Sequence, residues 1–558
     1  MSDSSPDRKG FTLRVFAWLA AGIILVAAAW SLPVNLKSIS PALLRAAGEG
    51  TSSVAGYGKD LVDYEKLGPA ELVLTAAQAV KDPRTQALKE AVDRLAAHQP
   101  ELVAWGGYDP FLDPLFNLKE SKGRAASTPV MTFFLPEKAR DTLRGYLANS
   151  RSLGVQALLK TRDLTVTGRF VPATRPGGQP LDAVILLSAL LYQGEHLSAS
   201  LQRELRGLAD TAVSQKALGD LEGFYLDLLS LSQRLDWVQL CELLRRTEDS
   251  KTVGEYAHLA RVAPDQVPLI YTAALFSNSA DRVATYLIQF GKAGIEDLRL
   301  ALTEGQGAVR LLLLRQVPVS RTPAPRIGAA AEFGLLHPKI ALVVKWLGFL
   351  LGAFCLLRGL DGTLFSTSTR ETGPALPHLQ SGVLALLVAG LLVLATEPFL
   401  LKAAPASEFK LRLVLPVLAT NSAPPASPSA KTPLTMETST LLSIGLFAVL
   451  QVSTYLLCLV KIREVAHAAV PPLVNLKLME NEENLFDSGL YVGIAGTASA
   501  LVLQVLHIIP GDLLAAYSSN LFGIICVALV KIRHVRPYKR TLILQSQATA
   551  APAAVMTA

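Results

Sequence analysis

The sequence predicts a mainly α-helical, polytopic membrane protein. It has six spans and a large, mostly helical extracytoplasmic domain between the first two. Three observations carry this expectation. Half of the 558 residues are hydrophobic and only 18% are charged, against about 25% in typical soluble domains. The mean hydropathy is +0.35. Six apolar stretches approach the roughly 20 residues that a bilayer core asks of a helix.

In order, the stretches are Val15–Val34, Ile340–Leu357, Ser381–Leu401, Thr440–Val460, Gly489–Ile509 and Leu513–Val530. The first has a basic flank and small residues at Ala27 to Ala29, as a signal peptide does. Its apolar core is longer than a usual signal region, which favours an uncleaved anchor. Residues 1–34 then form a cytoplasmic tail and anchor. Lys345 lies early in the second span, where its stem can snorkel to the surface. Glu397 lies near the outer end of the third, where a carboxylate can stay wet.

Basic flanks set the orientation. With the N-terminus inside, the cytoplasmic flanks hold Arg8, Lys9, Arg14, Arg358, Arg370, Lys461, Arg463, Lys477, Lys531, Arg533, Arg536, Lys539 and Arg540. The loop after span three holds only Lys402, Lys410, Arg412 and Lys431, and the turn between spans five and six holds none. Both termini are therefore expected on the cytoplasmic side of a cell (inner) membrane, with residues 35–338 outside. The net charge of +7 follows this topology, so nucleic acid is not an expected partner; membrane lipid is.

The outer part divides by pattern. Residues 35–180 read as a mixed region. "WGGYDPFLDPLFNL" carries Trp105, Tyr108, Phe111 and Phe116, as a partner-binding patch or a buried aromatic knot. Its Asp-Pro steps read as turns. "DLTVTGRFVP" alternates like a short strand. From 181 to 338, segments such as "DAVILLSALLYQ", "WVQLCELLRRTE" and "ADRVATYLIQFG" repeat apolar residues at three- and four-residue spacing. They predict an α-helical array or bundle with no fixed repeat period. A transmembrane hairpin follows at 339–401. The Pro/Ser/Ala-rich stretch 402–439 is an extracytoplasmic linker, 440–530 holds three transmembrane helices, and 531–558 is a basic cytoplasmic tail.

Chemistry is sparse. Cys241, Cys355, Cys458 and Cys526 have no metal-ligand or redox spacing, and read as core-filling thiols. No HExxH, GxSxG, phosphate loop or dinucleotide fingerprint occurs. His98, His196 and His258 lack a ligand at useful spacing. No catalytic residue, metal or cofactor is expected. Glu480, Glu482, Glu483 and Asp487 form an acidic cluster before span five, which reads as a solvated helix start or an N-terminal dipole partner, with cation binding as the alternative.

Polar residues inside the spans are the informative feature, since each costs free energy unless paired. A polar seam is expected from Gln451 and Thr454 in span four, Thr497, Ser499 and Gln504 in span five, and Ser518, Ser519 and Asn520 in span six. His507 lies toward the outer end of span five. Gly489, Gly493 and Gly496 in span five, with Ala515 and Gly523 in span six, give the small-xxx-small spacing that lets helices approach closely in lipid. Spans five and six are therefore expected to pack as an antiparallel hairpin. The seam either glues the helices or lines a path for an ion.

"GIAGTASALVLQVL" followed by "AAYSSNLFGI" resembles the paired pore helices of the MotA/TolQ/ExbB proton-channel family, over residues 489–530. Gly493, Gly496 and Thr497 match the G-x-x-G-T step of the first pore helix. Asn520 stands where the family has a second Thr, three residues before Gly523. The resemblance implies a homo-oligomer around a single-span partner whose helix brings the proton-carrying carboxylate. Two non-enzymatic functions are expected: a channel-like or ion-motive subunit of a membrane assembly, or a membrane-anchored scaffold or sensor that binds a partner through its outer helical domain.

Overall fold

The computed structural model describes residues 6–110, 112–116, 127–321, 327–364, 375–397, 399, 409, 438–467, 470–505 and 513–555. Phe111, His507 and nearly all of the 402–439 linker lie outside them, as do the side chains of Ser499, Gln504, Ala515 and Ser518. Among the described residues the chain is mainly helical. It has no strand, only isolated bridges at Val34–Ile39 and Val166–Ala217. The chain divides into two compact units. One is Leu43–Val319 with Pro405–Leu415; the other is Met1–Ala42, Ser320–Ala404 and Pro416–Ala558.

The Leu43–Val319 unit is an α-helical assembly that runs unbroken across residue 180. Helix Gln179–Gln193 is apolar on all sides, and every residue from Leu181 to Leu191 is buried, as expected of a central core helix. Its neighbours include Glu137–Ala148, Leu153–Lys160 and Leu221–Ser232. Helix Ala199–Gln215 is amphipathic and buries only Leu201, Leu205, Ala209 and Ala212. Side-chain caps start many of these helices: Ser198 accepts from Leu201 N, Asp249 from Thr252 N, and Asp236 forms a capping box with Gln239. Such caps contribute about 1 kcal/mol each. The stretch Ala280–Glu304 contains a kink at Gly291, whose φ of 58° is a left-handed value that glycine adopts without strain.

Two readings of this unit are settled by packing. The aromatic run forms a buried knot: Trp105 is 1% exposed and stacks on Phe133 at 3.9 Å, with Phe116 at 5.4 Å. Tyr108 points outward. The "DLTVTGRFVP" strand does not form. Instead the backbone N–H groups of Gly168, Arg169 and Phe170 turn onto the Glu222 carboxylate, at 2.6 to 3.0 Å. A carboxylate satisfies three consecutive donors better than a lone edge would.

Six helices of the other unit coincide with the six apolar stretches: α1 (Pro6–Ser31), α2 (Pro338–Leu364), α3 (Ala375–Thr396), α4 (Thr438–His467), α5 (Ser488–Val505) and α6 (Leu513–Ala528). Two described segments are long and apolar enough to cross a membrane, Arg14–Ser31 in α1 and Pro338–Leu360 in α2.

These helices form two trios. In the first, α1 lies along α2 on a glycine seam. A methyl group added at Gly352 would stand 2.7 Å from Val26 Cγ2, and one at Gly348 2.9 Å from Ala29 Cβ. Ala29, Phe349 and Ala389 join α1, α2 and α3 in one small core. In the second trio, α5 and α6 run antiparallel at close range: Gly489 faces Cys526, Gly493 faces Gly523, and Gly496 faces Ser519. Helix α4 packs across this pair.

At the far end of the second trio, α6 continues through a π-helical stretch, Leu529–Val535, into helix Arg536–Val555. Helix Pro472–Asn481 packs on the latter. The acidic cluster is not a bare solvated helix start. Lys531 pairs with Asp487 at 2.8 Å and Glu483 at 3.7 Å, and Lys461 with Glu482 at 3.5 Å. The carboxylates in turn hold the Lys531 ammonium above its ordinary pKa, mainly through the Asp487 hydrogen bond.

Candidate functional site

The expected seam is brought together in part. On α5, Thr497 Oγ1 donates to Gly493 O of its own helix at 3.0 Å. From α6, Ser519 Oγ donates to the same Gly493 O at 3.3 Å, so the two hydroxyls converge on one carbonyl. One turn along, Gln451 Nε2 crosses from α4 to Gly489 O at 3.0 Å. Thr454 bonds within its own helix: its hydroxyl donates to Leu450 O of α4. The glycines make the crossings geometrically feasible. A methyl group at Gly523 would stand 2.6 Å from Gly489 O and 3.4 Å from Gln451 Nε2. Two amide oxygens at this junction, Gln451 Oε1 and Asn520 Oδ1, are buried without a hydrogen-bond partner.

A second polar site lies at one end of the first trio. Lys345 and Glu397 do not reach water as their positions in the sequence suggest: they are 3% and 1% exposed. Lys345 Nζ donates to Val34 O at 2.9 Å and to Asn35 Oδ1 at 2.8 Å. Glu397 Oε2 accepts from Leu36 N at 2.8 Å, while its Oε1 and the nearby Trp346 Nε1 have no partner. The loop that receives both charges is braced from within. Asn35 Nδ2 donates to Ser38 Oγ, Ser40 Oγ donates to Pro33 O, and Ser320 N donates to Ile39 O. The snorkelling expectation fails because this loop folds over the end of α2 and offers acceptors closer than bulk water. A signal for the pair was present: opposite charges toward the same end of two consecutive apolar stretches.

The Leu43–Val319 unit buries a third set of charges. Asp109 Oδ2 accepts from Trp237 Nε1 at 2.9 Å and lies 3.0 Å from His196 Nε2. Arg245 Nη2 lies 2.8 Å from His196 Nδ1. A guanidinium can only donate, so Nδ1 accepts and the ring proton sits on Nε2, toward Asp109. Glu242 receives Lys66 at 2.8 Å and Arg246 at 2.6 Å. Burial pushes its carboxyl up, but Arg246 and Lys66 outweigh that and hold it below the usual range. Asp182 gathers Arg140, Arg144 and Arg162. Burial raises the thiol of Cys241 well above its ordinary value, so it is no thiolate nucleophile. These groups tie helix to helix.

A surface cleft of about 430 Å³ lies among Thr51, Ser53, Asp60, Lys81, Asp82 and Arg84. Its hydroxyls and one carboxylate already serve the backbone: Ser53 accepts from Gly56 N, Asp82 from Ala55 N and Arg84 N, and Thr51 from Gly307 N. Comparison with protein-family models, curated proteins and solved structures finds no match to this chain.

Proposed function

We propose that this chain is a non-enzymatic, multi-pass membrane protein: a scaffold or sensor anchored by α1 to α6, with both termini cytoplasmic and the Leu43–Val319 unit on the opposite side for a partner to bind. One observation carries the reading. The buried hydroxyl of Ser519 and the amide N–H of Gln451 end on carbonyls of a neighbouring helix. Polar groups used this way knit helices together. The layout is tested by impermeant maleimide labelling of sealed cells. All four native cysteines are buried, so introduced ones dominate the signal. Tyr64→Cys, at an exposed position, labels from outside and Arg540→Cys labels only after permeabilisation. The reverse pattern inverts the topology.

A second reading is kept because of Gln451 Oε1 and Asn520 Oδ1. Two unpartnered oxygens beside a glycine-lined crossing suit an ion-motive subunit like those the residue 489–530 pattern resembles. In that case the chain forms a homo-oligomer around a single-span partner that supplies the carboxylate. The uninterrupted helical course from Leu513 to Val555 is compatible with it. Proton flux in liposomes holding the protein and any partner separates the readings. Flux lost on Asn520→Leu supports the channel; no flux in the unsubstituted protein leaves the scaffold.

A further inference from the structure

We infer that Glu397 is a proton-binding site whose occupancy decides whether the 33–40 loop stays fastened to α2 and α3. The argument starts from cost. A carboxylate and an ammonium are each nearly inaccessible here, and effective burial penalties are several kcal/mol per ion. Each ion is stabilised by the same short loop. Lys345 holds Val34 O and Asn35 Oδ1, and Glu397 holds Leu36 N.

The groups facing Glu397 are few. Lys345 comes from α2, as does the Trp346 indole, and the Leu36 amide comes from the loop. Lys37 is the other titratable residue of 33–40. Lys345 is the cation whose charge acts on the Glu397 carboxylate. Glu397 Oε1 is buried and has no hydrogen-bond partner, so it is the oxygen that keeps a lone pair for a proton. Taking up that proton converts the carboxylate to a neutral acid, with no other bond made or broken. Leu36 N then donates to a neutral oxygen, a bond roughly half as strong. Lys345 loses its compensating charge at the same moment. The Leu36 fastening weakens directly and the buried Lys345 ammonium is left uncompensated, which makes the loop's attachment a function of proton binding at one atom.

The test uses the full chain in lipid nanodiscs, titrated from about pH 4 to pH 9. Infrared difference spectra follow the protonated-carboxyl band, and Glu397→Gln identifies which band belongs to Glu397. Hydrogen exchange of the Leu36 amide, corrected for its intrinsic pH dependence, is read on the same samples. Leu36 exchange should rise about tenfold as the Glu397 band appears, and Glu397→Gln should exchange fast at every pH. If Glu397→Gln does not fold, Asn35→Ala keeps the carboxylate and must retain the pH step. Leu36 exchange that stays flat while the band grows overturns the inference. So does the absence of any Glu397 band, or a Glu397→Gln protein as protected as the original.

Discussion

In α1, α2 and α3 the buried polar pair is a lysine and a glutamate at one end of the bundle. In α4, α5 and α6 it is amides and hydroxyls near the middle of the helices. Both trios close on glycine, at Gly348 and Gly352 in one and at Gly489, Gly493 and Gly523 in the other. They differ in what their polar groups require. A hydroxyl is satisfied by the nearest helix carbonyl, which every helix supplies, as Ser519 is by Gly493 O. An ion also needs directed donors or acceptors, and here these come from a loop outside the helices. The first trio is therefore specified by particular partners, the second mainly by shape.

The sharpest way to break this comparison is to remove one charge. Lys345→Met removes two bonds to the 33–40 loop and the cation whose charge acts on Glu397, and should lower stability by about 2–3 kcal/mol. The double variant Lys345→Met with Glu397→Leu should recover much of that loss. Thermal unfolding in detergent measures both. A single variant no worse than the double would mean that the charges do not compensate each other.

Shape comes next. Gly523→Val places a side chain against the backbone oxygen of Gly489, 2.6 Å from the first added carbon, and backbone cannot step aside. A loss of about 2–3 kcal/mol is expected. Gly352→Val in the first trio meets a backbone nitrogen as well, Val26 N at 3.0 Å, and should cost a similar amount. If only one of the two glycines matters, the trios do not share a packing logic.

Much of this was legible in the sequence, and the exceptions are physical. Helical spacing marked amphipathic helices such as Ala199–Gln215 because a 3.6-residue period separates a buried face from an exposed one. The α5–α6 glycines were legible because close approach of two helix backbones has a spacing of its own. The aromatic knot at Trp105 was present as an alternative, since Trp, Tyr and Phe serve cores and interfaces alike. The 163–172 segment misled because alternation also arises when a loop wraps one carboxylate, and Glu222 is about 50 residues away in sequence. Lys345 and Glu397 misled for a related reason. A charge near a span end snorkels by default, and only the fold shows that the 33–40 loop caps it.

The Glu222 nest gives the next smaller effect and asks whether the rule for ions holds outside the apolar helices. Burial pushes this carboxyl up, but the amides of Arg169, Phe170 and Gly168 outweigh it and hold the group below its ordinary pKa. A carboxylate lowered in the native state contributes stability that is fully present above its unfolded pKa. That stability is lost as pH falls through the native value. Acid unfolding of the native protein should therefore steepen below the ordinary glutamate range. Glu222→Gln should flatten that limb and cost about 1–2 kcal/mol at neutral pH. An acid limb identical in both proteins would mean that the three amides find other acceptors.

The smallest effect is the most discriminating for the second trio. Gln451→Leu removes one bond to Gly489 O but also removes the unpartnered Oε1. Interhelical hydrogen bonds in membranes average about 0.6 kcal/mol, and an unsatisfied buried acceptor costs a comparable amount or more. The two changes should nearly cancel, leaving stability within about 0.5 kcal/mol of the original. Gln451→Glu keeps the shape and places a charge against the backbone oxygen of Gly489. It should destabilise strongly at neutral pH and recover as the pH falls and the carboxyl is neutralised. Unfolding of both variants in the same detergent, at neutral and acidic pH, reads the contrast. Should Gln451→Glu be tolerated at neutral pH, the second trio must offer a cation or water path at Gln451, and the distinction between a bundle fixed by charge and one fixed by shape would fail there.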